Sequence, residues 1–284
     1  MKQTLFSVPL LFALLFCTAD GATAQNSEVY RAVYKVQGSY TPKKENDKSA
    51  YTEAVLEISS DKSFFFDRWF EIGDSVYQAS LNENGDMIKA TQAKTKSGVR
   101  PGLSIGVKSD FSGNSRETIH EVSSTLFSYT EDLNRPTWEI VQDSTAVKNG
   151  YNCIMAKTSY LGREWIAWHT PDIPTSAGPW KLWGLPGLIV EAKDGEGLFS
   201  FALVSFAATT PENLYGDFSK YKDAWPKRKT GNKKQVLDAF SFYKSDPAGY
   251  FRTMYPGAKV IIKDQHGNEL SAEDIRRNFT YLEK

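Results

Sequence analysis

Near its start the chain alternates apolar and polar residues with a period of two. In EVYRAVYKVQG, Tyr30, Ala32, Tyr34 and Val36 share one face while Arg31 and Lys35 share the other. In YTEAVLEIS, Ala54, Leu56 and Ile58 alternate with Glu53 and Glu57. Side chains repeat every second residue only in extended backbone, so each run predicts a half-buried antiparallel strand. Asn84-Gly85 and Asn149-Gly150 predict hairpins, because Asn-Gly accepts the two positive φ angles of a type I′ turn. Leu161-Gly162, Lys193-Asp194-Gly195 and His266-Gly267-Asn268 are further turn candidates.

The middle of the chain is apolar on both strand faces. In TSYLGREWIAWHT, Trp165 and Ala167 point one way and Ile166 and Trp168 the other, and GLFSFALVSFA reads alike. Such strands predict cover on both sides of the sheet. Val236, Phe240 and Tyr243 recur at helical spacing, and Asp246-Pro247 reads as a cap and first-turn proline for a short helix through Met254. A helical segment near 232–254 supplies the cover, and AKVIIKD (258–264) returns as a strand. Residues 37–50 and 93–115 are rich in Gly, Ser and Lys and read as loops. The expected fold is a single, mainly β domain over 25–284. Its architecture is a curved antiparallel sheet or open half-barrel packed against one or two helices.

Residues 1–24 read as a secretory signal peptide. Lys2 precedes an apolar stretch from Leu5 to Phe16, and Ala22-Thr23-Ala24 is a cleavage site. Thirty-four basic and 34 acidic residues balance, which argues against nucleic acid as a partner, since binding it depends on phosphate neutralisation. No later run predicts a transmembrane segment. Cys153 is the cysteine left after cleavage, and its strand-like setting marks a small buried hydrophobe. His120, His169 and His266 have no partners at ligand spacing, so no metal and no cofactor is expected. The basic residues Lys227, Arg228, Lys229, Lys233 and Lys234 read as a solvated linker and helix face, with contact to anionic lipid headgroups as the alternative.

Candidate chemistry concentrates between His169 and Gly195. Trp165, Trp168, Trp180 and Trp183 crowd together there, and Pro186-Gly187 fits the central pair of a type II turn. Trp168 and Leu188 are assigned to the core. Trp180, Trp183, Leu185 and Pro186 are candidates for gripping an apolar ligand or a partner, with Arg163 or Asp172 orienting a polar end. Arg163 and Asp172 also read as pairing with each other or capping backbone. No Gly-x-Ser-x-Gly elbow or His-Glu-x-x-His helix is present. Glu164, Asp172 and Glu191 are the carboxylates a hydrolase would use.

GPWKLWGLPGLIVEA (178–192) contains, at 184–189, the hexapeptide that names the GLPGLI family of exported bacterial proteins, and the chain resembles that family. GREWIAWHT, GYNCIMA and the opening VYRAVYKV carry the likeness further, while RRNFTYLEK departs from it at Phe279, where Pro is expected. The resemblance implies export in a Gram-negative bacterium, to the periplasm or the outer-membrane surface, and a mostly antiparallel β structure. It brings no catalytic residues. By pattern alone the chain is also similar to LolA/LolB-like lipoprotein carriers, whose open half-barrels hold acyl chains. The expected function is therefore non-enzymatic binding of a lipid or other apolar ligand, or of an outer-membrane or envelope protein. The alternatives are an envelope scaffold without a small ligand, and a hydrolase.

Overall fold

A computed structural model describes residues 28–38, 51–96, 102–123, 125–214, 228–257, 259–263, 267–277 and 281–283. The signal peptide, most of 37–50, Lys227, His266 and Phe279 lie outside the described residues. The chain is mainly β, with an open sheet of twelve strands. In chain order these are β1 (Val29–Gln37), β2 (Tyr51–Ile58), β3 (Lys62–Asp67), β4 (Ile105–Asp110), β5 (Ser115–Val122), β6 (Thr125–Asp132), β7 (Glu139–Lys148), β8 (Tyr151–Tyr160), β9 (Arg163–Thr170), β10 (Leu188–Asp194), β11 (Ser200–Thr209) and β12 (Lys229–Thr230). Across the sheet the order is β12-β6-β5-β4-β3-β2-β1-β11-β10-β9-β8-β7, antiparallel except where β12 joins β6.

The sheet is strongly curled. β5 and β8 stand eight places apart in that order, about 38 Å if the sheet were flat at ~4.8 Å per strand. Yet Arg116 of β5 donates to the Tyr160 hydroxyl of β8 at 3.2 Å. Phe65 of β3 likewise meets Phe201 of β11 edge-on, with ring centroids 5.8 Å apart. One inner face thus wraps a continuous core that includes Ala32, Tyr34, Leu56, Phe65, Trp165, Ala167 and Phe201. The period-two reading of β1 and β2 places these residues correctly.

Helices cover the sheet unevenly. α1 (Arg68–Asn84) and α2 (Met87–Lys96) form a helical pair between β3 and β4. Asp67 caps α1 by accepting from the Trp69 N–H, and Phe70 packs with Val55, Phe64, Phe66, Ile119 and Leu126 on the outer face. α3 (Lys233–Ser245) begins with a capping box between Asn232 and Gln235 and lays Phe240 against His120 on the inner face. α4 (Pro247–Met254) starts at the Asp246 cap, as its Asp-Pro pair predicts, and α5 (Ala272–Arg277) follows.

Four sequence expectations need correction. Asn84-Gly85 makes no hairpin, because Gly85 at φ 62° caps the end of α1 and donates its N–H to the Leu81 carbonyl. Residues 93–115 hold the end of α2 and all of β4. AKVIIKD forms no strand among its described residues beyond a single bridge, Lys263 to Glu269. Finally, β9 and β11 are covered on the inner face only, so Ile166 and Val204 stand 42% and 49% exposed on the outer one.

Candidate functional site

The connection from β9 to β10, residues 171–187, folds back over the inner face. It is closed by its own backbone: the Gly184 N–H donates to the Ser176 carbonyl at 2.8 Å and the Leu188 N–H to the Ile173 carbonyl at 3.0 Å. At Pro186 the turn is tighter than the expected type II turn, since the Gly187 N–H returns to the Leu185 carbonyl at 2.9 Å. Gly187 has φ 129°, and a Cβ there would lie 2.0 Å from the Thr170 carbonyl oxygen. Only glycine lets the two backbones approach this closely.

Residues 134–138, between β6 and β7, brace the loop from outside. The Arg135 guanidinium donates to the Gly184 carbonyl at 2.6 Å, and the Trp138 indole donates to the Trp183 carbonyl at 2.8 Å. From the loop, the Trp183 indole donates to the Asn134 carbonyl at 3.3 Å, and its ring lies under Arg135 and against Phe111.

The sequence-predicted site residues separate into two groups. Trp180 is 2% exposed, sits at φ 55°, and packs its ring on Trp165 at 5.6 Å, while Leu185 is 1% exposed in the same core. Arg163 is buried beneath the C-terminal segment. It donates to the Leu282 and Tyr281 carbonyls and pairs with Asp194 and Glu196 at 2.8 and 2.9 Å. Its partner is therefore not Asp172. Asp172 and Pro186 are exposed and Trp183 is half-buried.

Beside Trp180 lies a cluster that sequence reasoning missed. Lys181 is fully buried, and its ammonium donates to Glu131 of β6, to Glu283 near the C-terminus and to the Tyr129 hydroxyl. Lys233 of α3 closes the ring at 2.8 Å from Glu131 and 3.0 Å from Glu283. Burial holds the Lys181 ammonium below its usual range against the pull of the two carboxylates. Burial also works to raise Glu131 and Glu283, but the Lys181 and Lys233 charges outweigh it and hold both carboxyls below their usual range. Nearby, burial and the Lys181 and Lys244 charges push His120 down to about 3, so the imidazole stays neutral. Burial pushes Asp67 up to about 6 although it accepts from the Trp69, Gly102 and Ser104 N–H groups.

Two clefts flank the loop and share Ser176. One, of about 770 Å³, is walled by Pro136, Trp138, Ile140, Leu185 and Pro186, with Arg135 among its residues. The other, of about 890 Å³, opens between the loop at Asp172 to Ser176 and the strand ends carrying Tyr30, Ile58 and Phe206. Glu164 is exposed on the outer face, and Glu191 pairs there with Lys148 at 3.2 Å. Cys153 is 1% exposed, and burial raises its thiol above the usual range, as suits a core residue. Among the described residues, no three His, Cys, Asp or Glu side chains gather at metal-binding spacing.

A family model described as "Protein of unknown function (Porph_ging)" matches residues 162–191, which span β9, the loop and the start of β10. Two solved structures, titled "Structure of PNGF-II in P21 space group" and "Structure of PNGF-II in C2 space group", resemble the chain at TM-scores of 0.50 and 0.49. Each is 13% identical over 77% of this chain and 34% of the other. The chain thus spans about a third of their length, and the likeness concerns the fold. No curated protein matches.

Proposed function

We propose that this chain is an exported, non-enzymatic binding protein of the GLPGLI type in a Gram-negative cell envelope. Its working surface is the groove between the β9–β10 loop and the start of β7. The groove takes an apolar ligand or the apolar segment of an envelope partner. One observation carries this reading: Pro136, Trp138, Ile140, Leu185 and Pro186 face a single open groove whose walls are tied together by the Arg135, Trp138 and Trp183 hydrogen bonds. A groove rigid before binding loses little entropy when it is filled. The family match centred on 162–191 supports this location. Trp180, Arg163 and the buried Leu185 are framework in this reading, Trp183 ties the loop to the 134–138 segment, and Trp138, Ile140 and Pro186 shape the surface.

Native mass spectrometry of residues 25–284, purified gently from a periplasm, tests it. The expected result is an added mass that leaves into organic solvent and is lost in Trp138→Ala. For the partner form of the proposal, a photo-reactive residue at position 186 should capture an envelope protein whose cross-link also disappears in Trp138→Ala. A clean unliganded mass together with no such cross-link would overturn the proposal.

A further inference from the structure

The second cleft has a different chemistry. Tyr30 and Phe206 lie stacked on its floor, with centroids 5.1 Å apart and planes within 14°, and both rings are half-buried. Phe111 lines the cleft as well and rests against Trp183. Two carboxylates join these rings. The Tyr30 hydroxyl holds Glu28 through Oε2 at 2.5 Å, which leaves Oε1 without a partner among the described residues. The Asp172 backbone is tied by its N–H to the Thr170 hydroxyl at 3.3 Å, while its carboxylate has no hydrogen-bond or ion-pair partner among the described residues. The Ser176 residue at the loop completes the polar side, and no Lys or Arg is among the lining residues.

We infer that this cleft binds a neutral oligosaccharide. Pyranose rings carry an apolar C–H face, which packs on an aromatic plane, and an equatorial belt of hydroxyls, which donate to carboxylate oxygens. The uncovered face of a stacked ring pair, bordered by two acceptor-only groups and serine hydroxyls, satisfies both at once. The acids, with no base among the lining, disfavour phosphate, sulfate and uronate groups by like-charge repulsion. An ammonium cation would also be attracted to acids and rings. However, Tyr30 and Phe206 stack directly on each other and leave no gap between their rings, so they do not box a head group. The cleft volume also sits at the upper end of the ~300–1,000 Å³ seen for ligand sites, far larger than an ammonium needs.

Isothermal titration calorimetry of residues 25–284 against cellohexaose, maltohexaose, chitohexaose and mannohexaose tests this, with a heparin hexasaccharide and choline as contrasts. At least one neutral hexasaccharide should bind and the heparin fragment should not. Asp172→Ala should weaken binding at least tenfold with an unchanged melting temperature, because Asp172 is exposed and unpaired among the described residues. Phe206→Ala should weaken binding at least as much. If Phe206→Ala lowers the melting temperature, Phe111→Ala gives the same reading from the other side of the cleft. The inference is overturned if no neutral sugar binds, if choline binds in their place, or if a sugar binds with undiminished affinity to Asp172→Ala. Trp138→Ala separates the two sites: it should remove cargo from the groove and leave saccharide affinity within twofold.

Discussion

Trp180 and Lys181 are neighbours in sequence, both buried, and they fasten the same loop by opposite means. Trp180 is held by area, with its indole spread over Trp165 and edge-on to Tyr160. Lys181 is held by charge, inside a closed ring with Glu131, Glu283 and Lys233. The apolar anchor depends on volume and is indifferent to pH. The ionic anchor depends on every member being present, because a buried charge left alone is far costlier than the net worth of the pair. The loop is therefore fixed to two separate parts of the molecule, the β8–β11 core through Trp180 and the β6–α3–C-terminal junction through Lys181.

The largest expected effects break one anchor at a time. Trp180→Ala should cost about 3–5 kcal/mol in chemical denaturation, as large aromatic truncations in cores do, and Trp180→Phe should recover part of it. Lys181→Met should cost a similar amount, about 3–5 kcal/mol, by leaving two carboxylates facing one remaining ammonium. The two losses differ in what reverses them. Adding Glu283→Gln to Lys181→Met should restore stability, whereas Glu283→Gln added to Trp180→Ala should only make it worse. Equal behaviour of the two double variants would erase the distinction.

Acidity sharpens the same contrast, with effects on the order of 3 kcal/mol, since each tenfold change in proton affinity is worth ~1.4 kcal/mol. Asp67 has a folded value of about 6, above its ordinary 3.8, so the folded chain binds the extra proton between those values. Its contribution is fully present below pH 3.8 and is lost as pH rises through 6. His120 has the opposite sign. Its folded value of about 3 lies below 6.5, so its unfolded form binds the extra proton and stability falls as pH drops from 6.5. The two oppose each other between about pH 4 and 6 and should leave the parent chain nearly flat there. In Asp67→Asn, denaturant midpoints should fall on acidification through that window, and in His120→Gln they should rise. Below it, Glu131 and Glu283 protonate as pH falls through their depressed folded values, and the stability their ring supplies is lost. Lys181→Met should blunt that last fall, while Trp180→Phe should leave it in place.

How much of this was legible in the sequence follows from the range over which each signal acts. Strand alternation is local, so β1 and β2 and their inward residues were readable. The dipeptide Asn-Gly is also local, but it encodes positive φ and not what lies on either side. At Asn149-Gly150, with φ values of 48° and 83°, it makes the β7–β8 hairpin, and at Asn84-Gly85 it ends a helix. AKVIIKD has strand propensity, yet among its described residues it pairs only at the Lys263–Glu269 bridge, so propensity alone leaves it irregular. The loop was recognisable from its Trp and Pro density, whereas the ionic ring was not, because Glu131, Lys181, Lys233 and Glu283 come from four distant parts of the chain. Its one local trace is Lys181 itself, a lone charge inside Trp-Lys-Leu-Trp. The saccharide cleft hides for the same reason, since Tyr30, Phe111, Asp172 and Phe206 meet only after the sheet has curled.

The smallest expected effect concerns the outer face, where a charge pair has the same residue types as the buried ring in a different solvent. Lys148 reaches Glu191 at 3.2 Å and sits over the Trp168 ring at 5.2 Å, with both charged side chains about a third exposed. Exposed pairs contribute ~0–1 kcal/mol and are screened by salt. Lys148→Ala should therefore shift the denaturation midpoint by less than about 1 kcal/mol, and 1 M salt should shrink that shift further. The Lys181→Met loss should persist in the same salt, because water and ions do not reach a fully buried ammonium. A salt-sensitive Lys181→Met would place the ring in solvent exchange and make its geometry equivalent to that of the outer pair. Salt dependence measured on the two lysine variants side by side thus separates burial from mere proximity of charge.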